Sequence, residues 1–152
     1  METNQYWSGT SSGEMVSQET MLQYLLNKQR GVVILDGYSG CGKTRLLKKL
    51  KETKPQTVQL FSYVDIVAQI VSAAKKKTSC RGALLDVSAE PCLIGVEDVD
   101  FLRGKEETQR KLAELVNHAA GRHIVILTGN NVQTRTPVLC ELCAPEIFIM
   151  RR

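Results

Sequence analysis

Short apolar runs alternate with stretches of helical spacing along most of this chain. Val32-Val33-Ile34-Leu35, Val58-Gln59-Leu60-Phe61, Cys92-Leu93-Ile94-Gly95-Val96, His123 to Leu127 and Glu146 to Met150 predict five strands. Between them lie helical patterns. Met15, Met21, Leu22, Leu25 and Leu26 share one face before Arg30-Gly31. Lys43 to Lys51 is amphipathic and ends near Lys54-Pro55. Ser62 reads as an N-cap with Asp65 at the third helical position, and Val64, Val67, Ala68 and Val71 as that helix's apolar stripe. Lys75-Lys76-Lys77 favours its negative end. A long helix from about Lys105 to Ala120 turns Leu112, Leu115, Val116 and Ala119 inward and is capped by Gly121. A short segment around Val138 to Leu142 precedes the last strand, and Ala83-Leu84-Leu85 fits either a helical turn or a minor strand. Strands alternating with helices imply an α/β fold with a parallel sheet covered on both faces.

Length changes this picture little. At 152 residues the chain suits one three-layer domain, taken as 15–152 behind a flexible polar leader, 1–14. A hydrophobic share of 43% fits a globular class and excludes disordered or collagen-like ones. Apolar runs stop short of the roughly 18 residues a membrane span requires. The polar start lacks a signal peptide's pattern, so a soluble cytoplasmic protein is the expectation. A net charge of +4 permits contact with a nucleic acid backbone without demanding it. The five cysteines, Cys41, Cys80, Cys92, Cys140 and Cys143, read as reduced thiols rather than a disulfide framework. Cys140-Glu141-Leu142-Cys143 would need a second pair, loosely Cys80 with Cys92, to hold zinc; two small buried helix residues are the plainer reading.

Candidate chemistry begins at Gly37-Tyr38-Ser39-Gly40-Cys41-Gly42-Lys43-Thr44, which fits G-x-x-x-x-G-K-[ST] at every fixed position. A strand precedes it and a helix, opening with Arg45-Leu46-Leu47, follows it. In that setting glycines let successive N–H groups point inward as an anion nest at a helix N-terminus. Lys43 would reach the β- and γ-phosphates and the Thr44 hydroxyl would ligate Mg²⁺. Cys41 sits where a helix dipole lowers a thiol's pKa, which makes redox control thinkable; a tolerated small residue is the plainer reading.

The third strand ends in Glu97-Asp98, an acidic pair that is costly beside a buried strand unless it meets a cation. Glu97 is assigned to the metal and Asp98 to the base that polarises a water. An acidic cap for the next turn is the bland alternative, which Asp100 could serve as well. At the end of the fourth strand, Asn130, or failing that Thr128, is the candidate polar sensor that orients the nucleophile; an Asn in a tight turn is the competing reading. The extra strand–helix pair from Val58 to Lys77 argues against nucleotide kinases and Ras-like GTPases. No Asn-Lys-x-Asp guanine reader follows a later strand, so an adenine nucleotide is expected.

From Leu93-Ile94-Gly95-Val96-Glu97-Asp98 through Phe101-Leu102-Arg103-Gly104-Lys105-Glu106 to Gln109, the chain resembles the AAA+ ATPases of the bacterial replication-initiator group, DnaA, Hda and the DnaC-type helicase loaders. The likeness extends over roughly residues 31–150. It implies a P-loop NTPase three-layer sandwich with a five-stranded parallel sheet in the order 5-1-4-3-2. Three features depart from the family. Glu97 stands where the family usually has Asp. Leu139 to Glu146 lacks the arginine that reaches a neighbour's nucleotide, Arg135 lying earlier. The chain stops at Arg151-Arg152, so the helical lid and the helix-turn-helix are not in it, as in a fragment or a minimal version. Without a lid the affinity should be weak. Without the arginine hydrolysis should be slow, since such a residue supplies about 10³ to 10⁵ in rate.

These residues predict a Mg²⁺-dependent, slowly hydrolysing ATP-binding module acting in replication initiation or helicase loading. The alternatives are a non-catalytic nucleotide-binding regulatory or protein-interaction domain and, more remotely, a small-molecule phosphotransferase. Adenine nucleotide is the expected ligand, and other replication proteins and DNA are candidate partners. Lys48, Lys49, Lys51, Lys54, Lys75 to Lys77 and Arg81 form basic patches, and the resemblance places single-stranded DNA near the second strand. No aromatic residues interleave with those lysines.

Overall fold

A computed structural model of the chain describes residues 6–9, 15–38, 42–75 and 92–151. In chain order the elements are β1 (Tyr6–Gly9), β2 (Met15–Val16), α1 (Gln18–Asn27), β3 (Gly31–Asp36), α2 (Lys43–Thr53), β4 (Val58–Ser62) and α3 (Tyr63–Lys75). They continue with β5 (Leu93–Glu97), a 3₁₀ turn (Val99–Leu102), α4 (Glu106–Ala120), β6 (Ile124–Gly129), α5 (Val132–Arg135), α6 (Pro137–Cys143) and β7 (Glu146–Arg151).

The sheet runs β2-β1-β7-β3-β6-β5-β4. Its β7-β3-β6-β5-β4 portion is parallel and, counted along the chain, has the order 5-1-4-3-2. All five predicted strands are present there. Among the described residues, β1 and β2 add an antiparallel margin beyond β7, which extends the expected five-stranded parallel sheet to seven strands. The flexible leader expected over residues 1–14 is corrected at Tyr6–Gly9, which pairs with Phe148 to Arg151. Trp7 supplies the physical reason: its side chain is fully buried and donates its indole N–H to Gln18 Oε1 at 2.5 Å. Met15 belongs to β2 and is exposed, not part of the first helix.

β3 is apolar throughout because both of its faces are covered. Val32 and Ile34 face a core shared with α3, α4 and α6, whereas Val33 and Leu35 face one shared with Trp7, α1 and α2. The result is three layers, helix on sheet on helix. α4 meets its expectation fully, with Leu112, Leu115, Val116 and Ala119 buried. Its Gln109, also buried, donates to Leu102 O at 2.9 Å and accepts from Leu139 N at 3.3 Å, joining the 3₁₀ turn to α6.

α3 starts as the sequence predicts. Ser62 N donates to Asp65 Oδ2 at 3.1 Å, and Asp65 N donates to Ser62 Oγ at 3.3 Å, a reciprocal capping box. Its apolar stripe is corrected: Ile66, Ile70 and Ala73 are buried, whereas Val64, Ala68 and Val71 are exposed. α3 is apolar on both sets of positions, so spacing alone does not select the buried one.

On α6, Cys143 is buried and Cys140 half-buried, and burial raises both thiols, Cys143 to about 12. Both are therefore poor nucleophiles. Cys41, Cys80, Lys76, Lys77, Arg81 and the Ala83 to Leu85 segment lie outside the described residues. Among the described residues, no helix is long and apolar enough to cross a membrane.

Candidate functional site

The site forms at the carboxyl ends of the parallel strands. β3 ends at Asp36, Gly37 and Tyr38 follow, and Gly42 is the N-cap of α2. Gly42 has φ +109, a left-handed conformation that glycine adopts without the strain a Cβ would bring. Of the predicted nucleotide-binding residues, Gly37, Tyr38, Gly42, Lys43, Thr44 and Arg45 are described, and Ser39, Gly40 and Cys41 lie outside the described residues. Lys43 Nζ donates to Gly37 O and, at 3.3 Å, to Tyr38 O. The ammonium therefore sits against the carbonyls at the loop's entry. Arg45 is exposed in the first turn of α2 and borders a cavity of about 480 Å³ with Gly42, Lys43, Thr44, Lys48 and Lys49.

Thr44 and Glu97 come from elements 53 residues apart and meet, Thr44 Oγ1 donating to Glu97 Oε1 at 3.1 Å. Parallel pairing of β4 with β5 sets Glu97 opposite Ser62 at the sheet's end. A hydroxyl beside a carboxylate is a set of hard oxygen donors. Mg²⁺ takes one or two such protein ligands and completes its octahedron with phosphate oxygens and water, so these residues fit it. Asp98 follows in a left-handed conformation, φ 64, and is exposed. Its side chain makes no cap hydrogen bond to the 3₁₀ turn, which disfavours the capping alternative for this residue.

β6 ends beside the loop strand. Gly37 N donates to Gly129 O at 3.0 Å, so the first residue of the loop is tied to the residue before Asn130. Asn130 is half-buried there, whereas Thr128, the fallback sensor, is buried inside the sheet. Gly129 leaves no room for a side chain, because a Cβ would lie 2.6 Å from Asp100 Oδ1 and 2.8 Å from Val132 Cγ2. Gly129→Ala is expected to lower stability by about 1–3 kcal/mol through this overpacking, read as a lower denaturant midpoint at unchanged slope.

Asp36, Gln18, Tyr63 and Phe101 have no place in the sequence reading of the site, and Asp100 enters it only as a possible cap. Asp36, buried at the end of β3, accepts Asn131 N at 2.8 Å and Val132 N at 3.0 Å. Asp100 is buried and pairs with Arg135 Nη1 at 3.3 Å. Gln18 links the N-terminal strand to the loop by donating Nε2 to Gly42 O at 3.0 Å while accepting from Trp7. The only signals available were the acidic residue directly before Gly37 and the polar clustering around Asn130; neither names a partner. Tyr63 and Phe101 stack with ring centroids 5.2 Å apart, Phe101 being largely exposed, a surface aromatic pair near the strand ends that the lysine patches themselves lack.

The sequence profile of the ATPase family associated with various cellular activities (AAA) matches residues 33–151. No curated protein matches the chain in sequence. Among solved structures, a DNA replication initiation factor is similar at 21% identity and TM-score 0.63, over 88% of this chain and 44% of that one. Domain III of the Thermotoga maritima replication initiation protein DnaA is similar at 19% identity and TM-score 0.65, over 88% of this chain and 60% of that one. Replication initiator DnaA bound to AMPPCP and single-stranded DNA is similar at 21% identity and TM-score 0.62, over 89% and 44%. At these identities the likeness is one of fold, and the chain spans about half the length of the proteins it matches.

Proposed function

The chain belongs to the ATPase family associated with various cellular activities, a membership that implies nucleotide binding, and from it we propose a Mg²⁺-dependent ATP-binding module with slow hydrolysis. The contact that carries this reading is Thr44 Oγ1 on Glu97 Oε1, 3.1 Å, at the second residue of the helix that follows the glycine loop. It puts a metal-type hydroxyl and a metal-type carboxylate together beside Lys43, where a triphosphate tail would end.

Each residue then has a part. Backbone N–H groups of the loop and the N-terminus of α2 bind phosphate oxygens, and Lys43 exchanges its carbonyl partners for them. Thr44 and Glu97 would hold Mg²⁺, which when bound would neutralise charge on the phosphate oxygens. Asp98 accepts the proton of the attacking water and Asn130 orients that water. Arg135, the nearest arginine before α6, is already paired with Asp100, and Leu139 to Glu146 contains none, which supports slow turnover. That same pairing favours, as the second reading, a regulatory domain that binds nucleotide without hydrolysing it.

Likeness in fold to replication initiators supports a role in replication initiation or helicase loading, with adenine nucleotide as ligand and other replication proteins as partners. The exposed lysines of α2 and the Tyr63–Phe101 pair support single-stranded DNA as a further ligand. Steady-state ATPase with and without single-stranded DNA separates the readings. Stimulated turnover supports the first, and zero turnover with tight ADP binding supports the second. Glu97→Gln is expected to leave metal-free ATP affinity unchanged while abolishing the gain from Mg²⁺ and lowering turnover at least roughly tenfold. Calorimetry with and without Mg²⁺ reads this directly, and an unchanged metal dependence would remove Glu97 from the site.

A further inference from the structure

Asp36 is the last residue of the strand that enters the loop, and the proposed chemistry leaves its carboxylate without a part. It is 7% exposed. Burial raises its pKa, opposed by hydrogen bonds from Asn131 and Val132 and by the charge of Lys43. Its two oxygens take the N–H groups of two successive residues, Asn131 at 2.8 Å and Val132 at 3.0 Å, across 95 and 96 residues of chain. Alongside, Gly37 N donates to Gly129 O at 3.0 Å.

Asn130 is thereby fixed from both sides. Behind it, Gly129 is hemmed in by Asp100 and Val132 and bonded to Gly37. Ahead of it, Asn131 adopts φ 54, a left-handed conformation that Asn tolerates, with its N–H on Asp36. With both neighbours held, the Asp36 contact restricts where the backbone at Asn130 can lie relative to Gly37. A carboxylate suits this because two adjacent N–H donors need two acceptor oxygens. An asparagine would offer one oxygen and turn an NH₂ group toward the other N–H.

We propose that Asp36 is a positioning residue of the nucleotide site: it clamps the turn bearing Asn130 to the strand bearing the phosphate loop, so that one side chain sets water orientation and phosphate placement in register. The proposal rests on the ATPase reading above. A plain helix cap for α5 would affect stability alone; a positioning residue also changes turnover through Asn130.

The test is a double-mutant cycle of Asp36→Asn and Asn130→Ala in the full chain, with amide hydrogen exchange on the nucleotide-free protein. Exchange at Asn131 and Val132 should rise at least about tenfold in Asp36→Asn while the β3 and β6 amides stay protected. ATP affinity should stay within about threefold, turnover should fall roughly tenfold in each single variant, and the double variant should be no slower than either. Unchanged exchange at both amides, or single effects that multiply in an active enzyme, overturns the Asp36 proposal alone. A parent that neither binds nor hydrolyses ATP overturns the functional reading and Asp36's role with it.

Discussion

Lys43→Ala is expected to lower ATP affinity roughly a hundredfold and to leave no measurable turnover. The ammonium lies at the loop, donating to Gly37 O and Tyr38 O, and in the proposed site phosphate oxygens would replace those partners. A charge-assisted hydrogen bond contributes about 1.5–3 kcal/mol, and every 1.4 kcal/mol is a decade in affinity. Losing more than one such bond therefore takes a micromolar site to the sub-millimolar range or beyond. The variant should still fold, because Lys43 lies at the half-buried edge of α2 while the helix is anchored by buried Leu46, Leu47 and Leu50. Calorimetric titration of parent and variant with Mg·ATP, beside their melting curves, makes the comparison. If Lys43→Ala binds as the parent does with an unchanged melt, the phosphate loop is not the ligand site.

The second large effect concerns stability and falls on a residue far from the loop in sequence. Trp7→Ala should cost about 3–5 kcal/mol, the range for removing a fully buried aromatic side chain. For a domain of this size that lowers the melting temperature by roughly 6–20 °C. Trp7 fills the core between β1, α1 and β7, opposite Val16 and Met150 in the sheet register. Its truncation also frees Gln18, whose amide holds Gly42 O. Nucleotide affinity should therefore weaken by severalfold in the same variant, whereas Gln18→Ala should weaken affinity with a much smaller loss in melting temperature. Melting followed by circular dichroism decides the matter, and an unchanged melt would mean that the N-terminal strand does not belong to the folded core.

Three features set by residues within a single window are legible in the sequence. Val32 to Leu35 announced a doubly covered strand, the Ser62–Asp65 pair announced a capping box, and Lys105 to Ala120 announced a helix with its inward face. Each depends on residues within a few positions of one another. The buried face of α3 is not legible in the same way: its valines and isoleucines fall on two adjoining faces, so the buried one follows from what the sheet presents, not from spacing. β1 failed because one tryptophan among polar neighbours carries no period.

The candidate site divides the same way. The loop glycines, Lys43, Thr44 and the acidic strand end are local words in the sequence, since phosphate binding needs a strand, a turn and a helix in immediate succession. Which carboxylate serves which partner is not local. Thr44 finds Glu97 across 53 residues, Asp36 finds Asn131 across 95, and Asp100 finds Arg135 across 35. Those pairings exist only once parallel strands are laid in the order β7-β3-β6-β5-β4, which brings their carboxyl ends to one edge. The sequence by itself determined the phosphate loop and the alternation of strands and helices, because hydrophobic period and backbone conformation act over single turns. Only the tertiary structure decided the antiparallel margin, the buried face of α3 and the clamps around Asn130, because each needs a side chain and its partner to be brought together by the packing of the whole sheet.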